Sequence, residues 1–191
     1  LEVHYMPEVD LDTGTWRAAE ALLRWRRADG RLIAAGEFIE VAEKSGLIVR
    51  LGRWVLRQAC TDAAAWPLDA DGQAPMVRVN VSLRQFEDPA LAGDVEAALQ
   101  ASGLEPSRLC LELTETAMLR DSASVARTLQ RLRGLGVRIA LDDFGIGYCS
   151  LAYLKQLPID TIKVDRGFVS GLPDVVEDLA IVESLALLAR R

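Results

Sequence analysis

A chain of 191 residues with one histidine, His4, has almost no room for a His-rich zinc site or a Ser-His-Asp triad. Any metal it holds must be held by oxygen. Cysteine is nearly as scarce. Cys60, Cys110 and Cys149 stand far apart and odd in number, which fits reduced thiols in a cytoplasmic setting better than a disulfide framework or a zinc knuckle. Lys44, Lys155 and Lys163 are the only lysines, and arginine supplies the remaining positive charge. That charge is itself in deficit: 22 basic residues face 28 acidic ones, a net charge of −6, which argues against a nucleic-acid polymer as partner. A small anionic ligand gripped by local groups is still allowed. The longest apolar runs, such as Leu185 to Ala189, fall far short of a bilayer span, and no basic-plus-apolar leader opens the chain. The expected setting is therefore the cytoplasm, alone or as the cytoplasmic part of a larger, membrane-attached protein. What is plentiful is apolar residue. A content of 50% hydrophobic and 26% charged residues excludes a disordered chain and suits one domain with a substantial core.

Short β-rich runs recur along the chain, each followed by a helical pattern. Val77 to Val81, Leu109 to Leu113, Arg138 to Leu141 and Thr161 to Val164 read as strands. Asp88-Pro89 offers an N-cap and a first-turn proline to a helix carrying Leu91, Val95 and Leu99 on one face. Ser124 can cap a helix carrying Val125, Leu129 and Leu132, which stops at Gly134 and Gly136. Strands and helices alternating at this spacing imply a parallel sheet with helical crossovers. The early part differs: Tyr5 to Leu11 and Ala18 to Trp25 read as a hairpin around Asp12-Thr13-Gly14, followed by helices near Glu37 to Ser45 and Leu47 to Ala65.

Chemistry gathers at one place in each unit. Glu20 lies in the second strand, Asn80 follows Val77-Arg78-Val79, and Glu112 follows Leu109-Cys110-Leu111. Asp142 and Asp143 follow Ile139-Ala140-Leu141, while Lys163 and Asp165 lie in or beyond Thr161-Ile162. In a barrel, residues at the C-terminal strand ends converge at the mouth. Carboxylates with a carboxamide there suit a hard cation such as Mg²⁺ or Mn²⁺. Any one of them alone reads equally as a helix cap or a surface acid, but five consecutive units do not. The adjacent pair Asp142-Asp143 can bridge two metals, an arrangement that favours in-line displacement at phosphorus. Asp143-Phe144-Gly145 also spells a kinase metal motif, yet the chain lacks both a glycine-rich nucleotide loop and a His-Arg-Asp loop, so a kinase is rejected. Gly145-Ile146-Gly147 reads as a mobile mouth loop. Lys163 stands where it can orient an attacking water or simply neutralise the acids, and position alone does not separate the two. Arg24, four residues beyond Glu20, suits a phosphate contact as well as it suits an ordinary surface.

These residues resemble the EAL domains, bacterial phosphodiesterases of the second messenger cyclic di-GMP. The likeness is carried by Glu20-Ala21-Leu22, Val79-Asn80-Val81-Ser82, Glu112-Leu113-Thr114-Glu115, Asp142 to Gly147 and Lys163-Val164-Asp165, in the family's order over nearly the whole chain. It implies one α/β domain over residues 1–191, a modified TIM-type barrel with an antiparallel first strand. The implied reaction cleaves one phosphodiester of cyclic di-GMP with Mg²⁺ or Mn²⁺, giving linear pGpG. Position by position, Glu20, Asn80, Glu112 and Asp142 match metal ligands, Asp143 a ligand of the second metal, and Lys163 the lysine near the attacking water. Glu115 matches a glutamate that anchors the loop after Asp142-Asp143, a loop also linked to dimerisation. Leu23, Arg24 and Asp165 match positions on the substrate side. A homodimer, and fused sensory or GGDEF-type domains, are the expected partners besides cyclic di-GMP.

Several positions depart from the family pattern. Met6 stands where a glutamine is usual before Pro7, Ala34 and Ala35 replace prolines ahead of Phe38 and Ile39, and Ile146 and Cys149 replace a threonine and a serine. The family also continues beyond the equivalent of Arg191 into a strand with a further glutamate and a final strand, so the last strands are expected to be missing here. The alternative reading is accordingly a catalytically impaired module that binds cyclic di-GMP or regulates through it without cutting it.

Overall fold

The computed structural model describes residues 1–69, 72–115, 122–145 and 157–189. The mouth-loop reading of Ile146-Gly147 and the departures at Ile146 and Cys149 lie outside them. The chain opens with a hairpin of β1 (Glu2–Val9) and β2 (Trp16–Arg26), paired antiparallel. Its turn is organised by Asp10, whose carboxylate accepts from the backbone N–H of Asp12 and Thr13 at 3.1 and 2.9 Å. The first strand begins and ends two or three residues earlier than its apolar pattern suggests, because this turn claims Asp10 onward. The short β3 (Leu32–Ala34) folds back on the end of β2, opposite Arg24 to Arg26. Three residues carry too little pattern to be read from sequence.

Parallel strands β4 (Met76–Asn80), β5 (Leu109–Thr114), β6 (Arg138–Phe144) and β7 (Thr161–Val164) extend the sheet in the order β1-β2-β4-β5-β6-β7. β5 is buried from Leu109 to Leu113, as expected of a parallel strand covered on both faces. One face carries the helices α1 (Ile39–Ser45), α2 (Leu47–Ala64), α3 (Leu83–Phe86), α4 (Leu91–Ser102) and α5 (Ser122–Gly134). α6 (Arg166–Ser170) and α7 (Val176–Ala189) follow β7. α2 buries Ile48, Val55, Leu56, Ala59, Cys60 and Ala63, a stripe at helical spacing that packs on β2 and β4. α4 and α5 add Leu91, Val95, Leu99, Leu129 and Leu132 to the same core. Each such side chain removed from water contributes about 1.5–3 kcal/mol before entropy is counted.

Two helix starts differ from the sequence reading by two or three residues. α4 starts at Leu91, after a turn in which Asp88 accepts from Ala90 N–H at 2.9 Å, so Asp88 organises the approach and Ala90 is the N-cap. α5 starts at Ser122, leaving Ser124 within its first turn. Helix ends are the least local part of the pattern, and short polar residues near them can serve the preceding turn as readily as the cap.

The contact between α2 and α3 sets a tight constraint. Gly52 lies against the buried amide of Gln85, and a Cβ at residue 52 would stand 1.8 Å from Gln85 Nε2. The same amide accepts from Ser82 N–H at 3.2 Å and from Ser82 Oγ at 3.1 Å, closing the turn just after Asn80. In an open helix Gly→Ala stabilises by about 0.5–1 kcal/mol. Here Gly52→Ala should instead destabilise by about 1–3 kcal/mol in urea unfolding, as overpacking does, and Gln85→Ala in the same chain should recover most of the loss. A stabilised Gly52→Ala protein would show that the amide moves aside freely.

Candidate functional site

The face of the sheet opposite α1–α5 collects side chains from five strands around one ammonium group. Lys163 on β7 directs Nζ to Glu112 Oε2 at 2.8 Å, Asp142 Oδ1 at 3.3 Å and Glu20 Oε2 at 3.4 Å. Asn80 Nδ2 donates to the other oxygen of Glu20 at 2.7 Å. Glu20, Asn80, Glu112, Asp142 and Lys163 thus meet although 143 positions separate the first from the last. Their convergence follows from strand alternation: Asn80 ends its strand, Glu20, Glu112, Asp142 and Lys163 lie within theirs, and all five side chains reach the face opposite the helices.

Three carboxylates face one ammonium, so the cluster carries uncompensated negative charge. The Glu112 side chain is fully enclosed, and burial pushes its pKa up to about 7 against the pull of Lys163. Burial works to lower the pKa of Lys163, but its hydrogen bond to Glu112 and the charges of Glu112, Asp142 and Glu20 outweigh it and hold the ammonium protonated. Among the described residues, no three acids, histidines or cysteines are spaced to grip a cation directly, because the carboxylates close on Lys163 instead. The donor set nevertheless fits a hard divalent cation: carboxylates and a carboxamide on neighbouring strands, and at Glu112 Oε1 a buried oxygen without a hydrogen bond.

Asp142 and Asp143 sit in a bulge. Leu141 pairs with Ile162 and Phe144 with Val164, so β6 spends one residue more than β7 over the same stretch. Asp143 takes φ 54°, in the left-handed region, and its carboxylate remains exposed beside Asp142. Partial burial, then Asp142 and Asp165, raise its pKa. Glu115, itself buried, accepts from Gly145 N–H at 3.2 Å and so ties down the residue that follows the bulge. Gly145 has φ 109°, and a Cβ there would lie 2.6 Å from Phe168 Cε2, so glycine alone fits between the bulge and α6.

The three residues expected on the substrate side are placed differently from one another. Arg24 is half-buried, donates to the Leu23 carbonyl at 2.9 Å and makes no ion pair among the described residues. Leu23 turns to the helix side, where it helps line a cavity of about 230 Å³ with Ala21, Ile39, Ile48, Asn80 and Gln85. Asp165 caps α6, accepting from Gly167 N–H at 2.7 Å. One participant escaped the sequence reading altogether. Arg78, two residues before Asn80 on β4, is buried directly beneath the cluster. Strand alternation puts Arg78 and Asn80 on one face, and that signal was available. Its partner Glu8 was not, since only the hairpin register brings β1 there.

A family model described as the EAL domain matches residues 1–191. The bifunctional diguanylate cyclase/cyclic di-GMP phosphodiesterase MucR of Pseudomonas aeruginosa is 43% identical over 190 residues, covering 100% of this chain and 28% of MucR. The cyclic di-GMP phosphodiesterase NbdA of the same organism is 39% identical over 191 residues, 100% of this chain and 24% of NbdA. A solved structure described as the PaMucR phosphodiesterase in complex with c-di-GMP matches with a TM-score of 0.90 at 42% identity, covering 99% of this chain and 76% of that one. The chain therefore spans about a quarter of the length of these curated relatives.

The raised pKa of Glu112 has a consequence for stability without metal. Between about 4.5 and 7 the folded protein binds more protons at Glu112 than the unfolded chain does. The contribution of Glu112 to stability is then full below this window and lost as pH rises through it. Glu112→Gln should lose less stability than the wild type between about pH 5 and pH 7 in chelator-treated urea titrations. Parallel curves would show that the carboxyl does not titrate there.

Proposed function

Because this chain belongs to the EAL domain family, we propose that it is a divalent-metal-dependent phosphodiesterase that opens cyclic di-GMP to linear pGpG. The observation that carries this reading is the meeting of Glu20, Glu112 and Asp142 at one point, with Asn80 hydrogen-bonded to Glu20, on four neighbouring strands. We assign Glu20, Asn80, Glu112 and Asp142 to one cation and Asp143 to a second, with Mg²⁺ or Mn²⁺ as the ions this oxygen set suits. Such a cation supplies Lewis-acid stabilisation of charge on the phosphoryl group and activation of water.

The chain's own residues have separable tasks. Water adds across one P–O3′ bond, so a P–O bond to the water oxygen forms, the bond to the 3′ oxygen breaks, and that oxygen takes a proton. Lys163, kept protonated by its three acids, acts as a donor that orients the water and opposes charge, and does not serve as its base. Arg24, without a carboxylate partner among the described residues, is available to a phosphate of the dinucleotide. Leu23 shapes the wall behind Arg24, and Asp165 sets the start of α6 beside the substrate side. Glu115 keeps the segment after Asp142-Asp143 against β5 through Gly145. MucR is named for both a cyclase and a phosphodiesterase activity, which supports reading this domain as one module joined to sensory or cyclase partners.

A second reading, capture of cyclic di-GMP without cleavage, is favoured by one observation: the acids close on Lys163 and not around an open cation position. Turnover separates the two. Conversion of cyclic di-GMP to pGpG should require Mn²⁺ or Mg²⁺, stop with EDTA and return when metal is restored. Glu20→Ala removes an anionic ligand within a well-paired strand and should reduce turnover to background while the protein stays folded. Unchanged turnover in Glu20→Ala would sink the metal assignment, and tight binding without pGpG at saturating Mn²⁺ would favour capture.

A further inference from the structure

We propose that Arg78 is a positioning residue for the cation site, holding Glu112 from beneath while Glu8 holds Arg78; this rests on the metal-dependent reading of the mouth. β4 sets Arg78 one layer deeper than Asn80 on the same face, and only 9% of its side chain is exposed. Arg78 Nε donates to Glu8 Oε2 at 2.7 Å, and Nη1 donates to Cys110 Sγ at 3.3 Å. A buried thiol is a weak acceptor, so the charge of the guanidinium is directed to the acids on either side, Glu8 and Glu112. Nη1 also lies 3.8 Å from Glu112 Oε1.

That oxygen is the one buried side-chain N or O atom without a hydrogen bond among the described residues. Its twin, Oε2, is taken by Lys163. Glu112 is therefore suspended between two cations, the ammonium at the mouth and the guanidinium below. An isolated buried carboxylate oxygen is costly, and a charge at 3.8 Å is what offsets it here. The planar fork cannot swing away, because β1 and β5 each pin one of its nitrogens through Glu8 and Cys110. Arg78 is too deeply enclosed to meet substrate. Its effect must pass through Glu112, in the way that outer partners orient the direct ligands of a metal.

The sign of the effect distinguishes positioning from simple electrostatics. Removing a positive charge near an acidic cluster should, by Coulomb's law alone, strengthen cation binding. Loss of positioning should weaken it.

The experiment is a calorimetric titration of Mn²⁺ into wild type, Arg78→Lys, Arg78→Met and the Arg78→Met/Glu8→Gln pair. Thermal melts of each metal-free protein and cyclic di-GMP turnover are measured alongside. Arg78→Met should bind Mn²⁺ about 10–100-fold more weakly. The paired variant, in which net charge is restored, should remain weak, and Arg78→Lys, which keeps the charge but loses the fork, should fall between. Equal or tighter binding by Arg78→Met, returning to the wild-type value in the paired variant, would overturn the proposal in favour of a plain charge effect. If Arg78→Met does not fold, Arg78→Lys decides at constant charge, and wild-type affinity there overturns the positioning role. A wild type that binds Mn²⁺ but leaves cyclic di-GMP uncut overturns the proposed activity while the Arg78 comparison stands. A wild type that binds no Mn²⁺ overturns both.

Discussion

Lys163 Nζ holds three carboxylates that would otherwise repel one another in a partly closed space, and the rest of the site is arranged around that balance. Two like charges a few ångströms apart at low dielectric cost several kcal/mol, far more than a surface ion pair returns. A fold that brings Glu20, Glu112 and Asp142 together must therefore bring a cation with them. In the protein alone that cation is the ammonium of β7. The same balance makes the mouth receptive to a divalent ion, since one ammonium leaves the acids undercompensated. Lys163 makes the cluster tolerable and stays charged among its acids, which is what the proposed role beside an attacking water requires.

The sheet transmits this constraint outward. Asn80 is tied to Glu20, Glu112 to Arg78, and Arg78 to Glu8, so a chain of polar contacts runs from β7 back to the first strand. Apolar packing stays on the other face, where α2, α4 and α5 cover the strands with leucine, valine and alanine. The two faces of β4 and β5 divide the work, one toward the core and one toward charge. Asn80 is further steadied by the turn behind it, where Gln85 closes on Ser82 under the shelter of Gly52.

The bulge in β6 meets a geometric need that a regular strand does not. Adjacent residues of a regular strand point to opposite faces, so Asp142 and Asp143 could not both serve one mouth without a break in the pairing. The extra residue between Leu141 and Phe144, with Asp143 in the left-handed region, supplies that break. Glu115 and Phe168 then brace the exit from either side of Gly145. The left-handed backbone of Asp143 is a strained conformation for a non-glycine residue, and it lies at the proposed cation site.

Amino-acid order alone determined the alternation of strands and helices, the opening hairpin, the strand-end acids Glu20, Glu112, Asp142 and Asp143 with Asn80, and Lys163 beside them. All of these are local signals: hydrophobic period, turn residues, and polar side chains at the ends of apolar runs. Helix starts shifted by two or three residues: Asp88 organises the turn before α4 and leaves Ala90 as its N-cap, and α5 begins at Ser122, ahead of Ser124. The short strand Leu32–Ala34 had no period to betray it, and its identity comes from pairing with β2. Arg78 was visible on the right face, but its importance was not, because that depends on Glu8 arriving from β1 and on the unbonded oxygen of Glu112. The pairing of residues 8 and 78, the closure of three acids on one ammonium, and the bulge at Asp143 were decided only by the tertiary structure. Register between distant strands is set by the fit of the whole sheet, and no local stretch of sequence contains it.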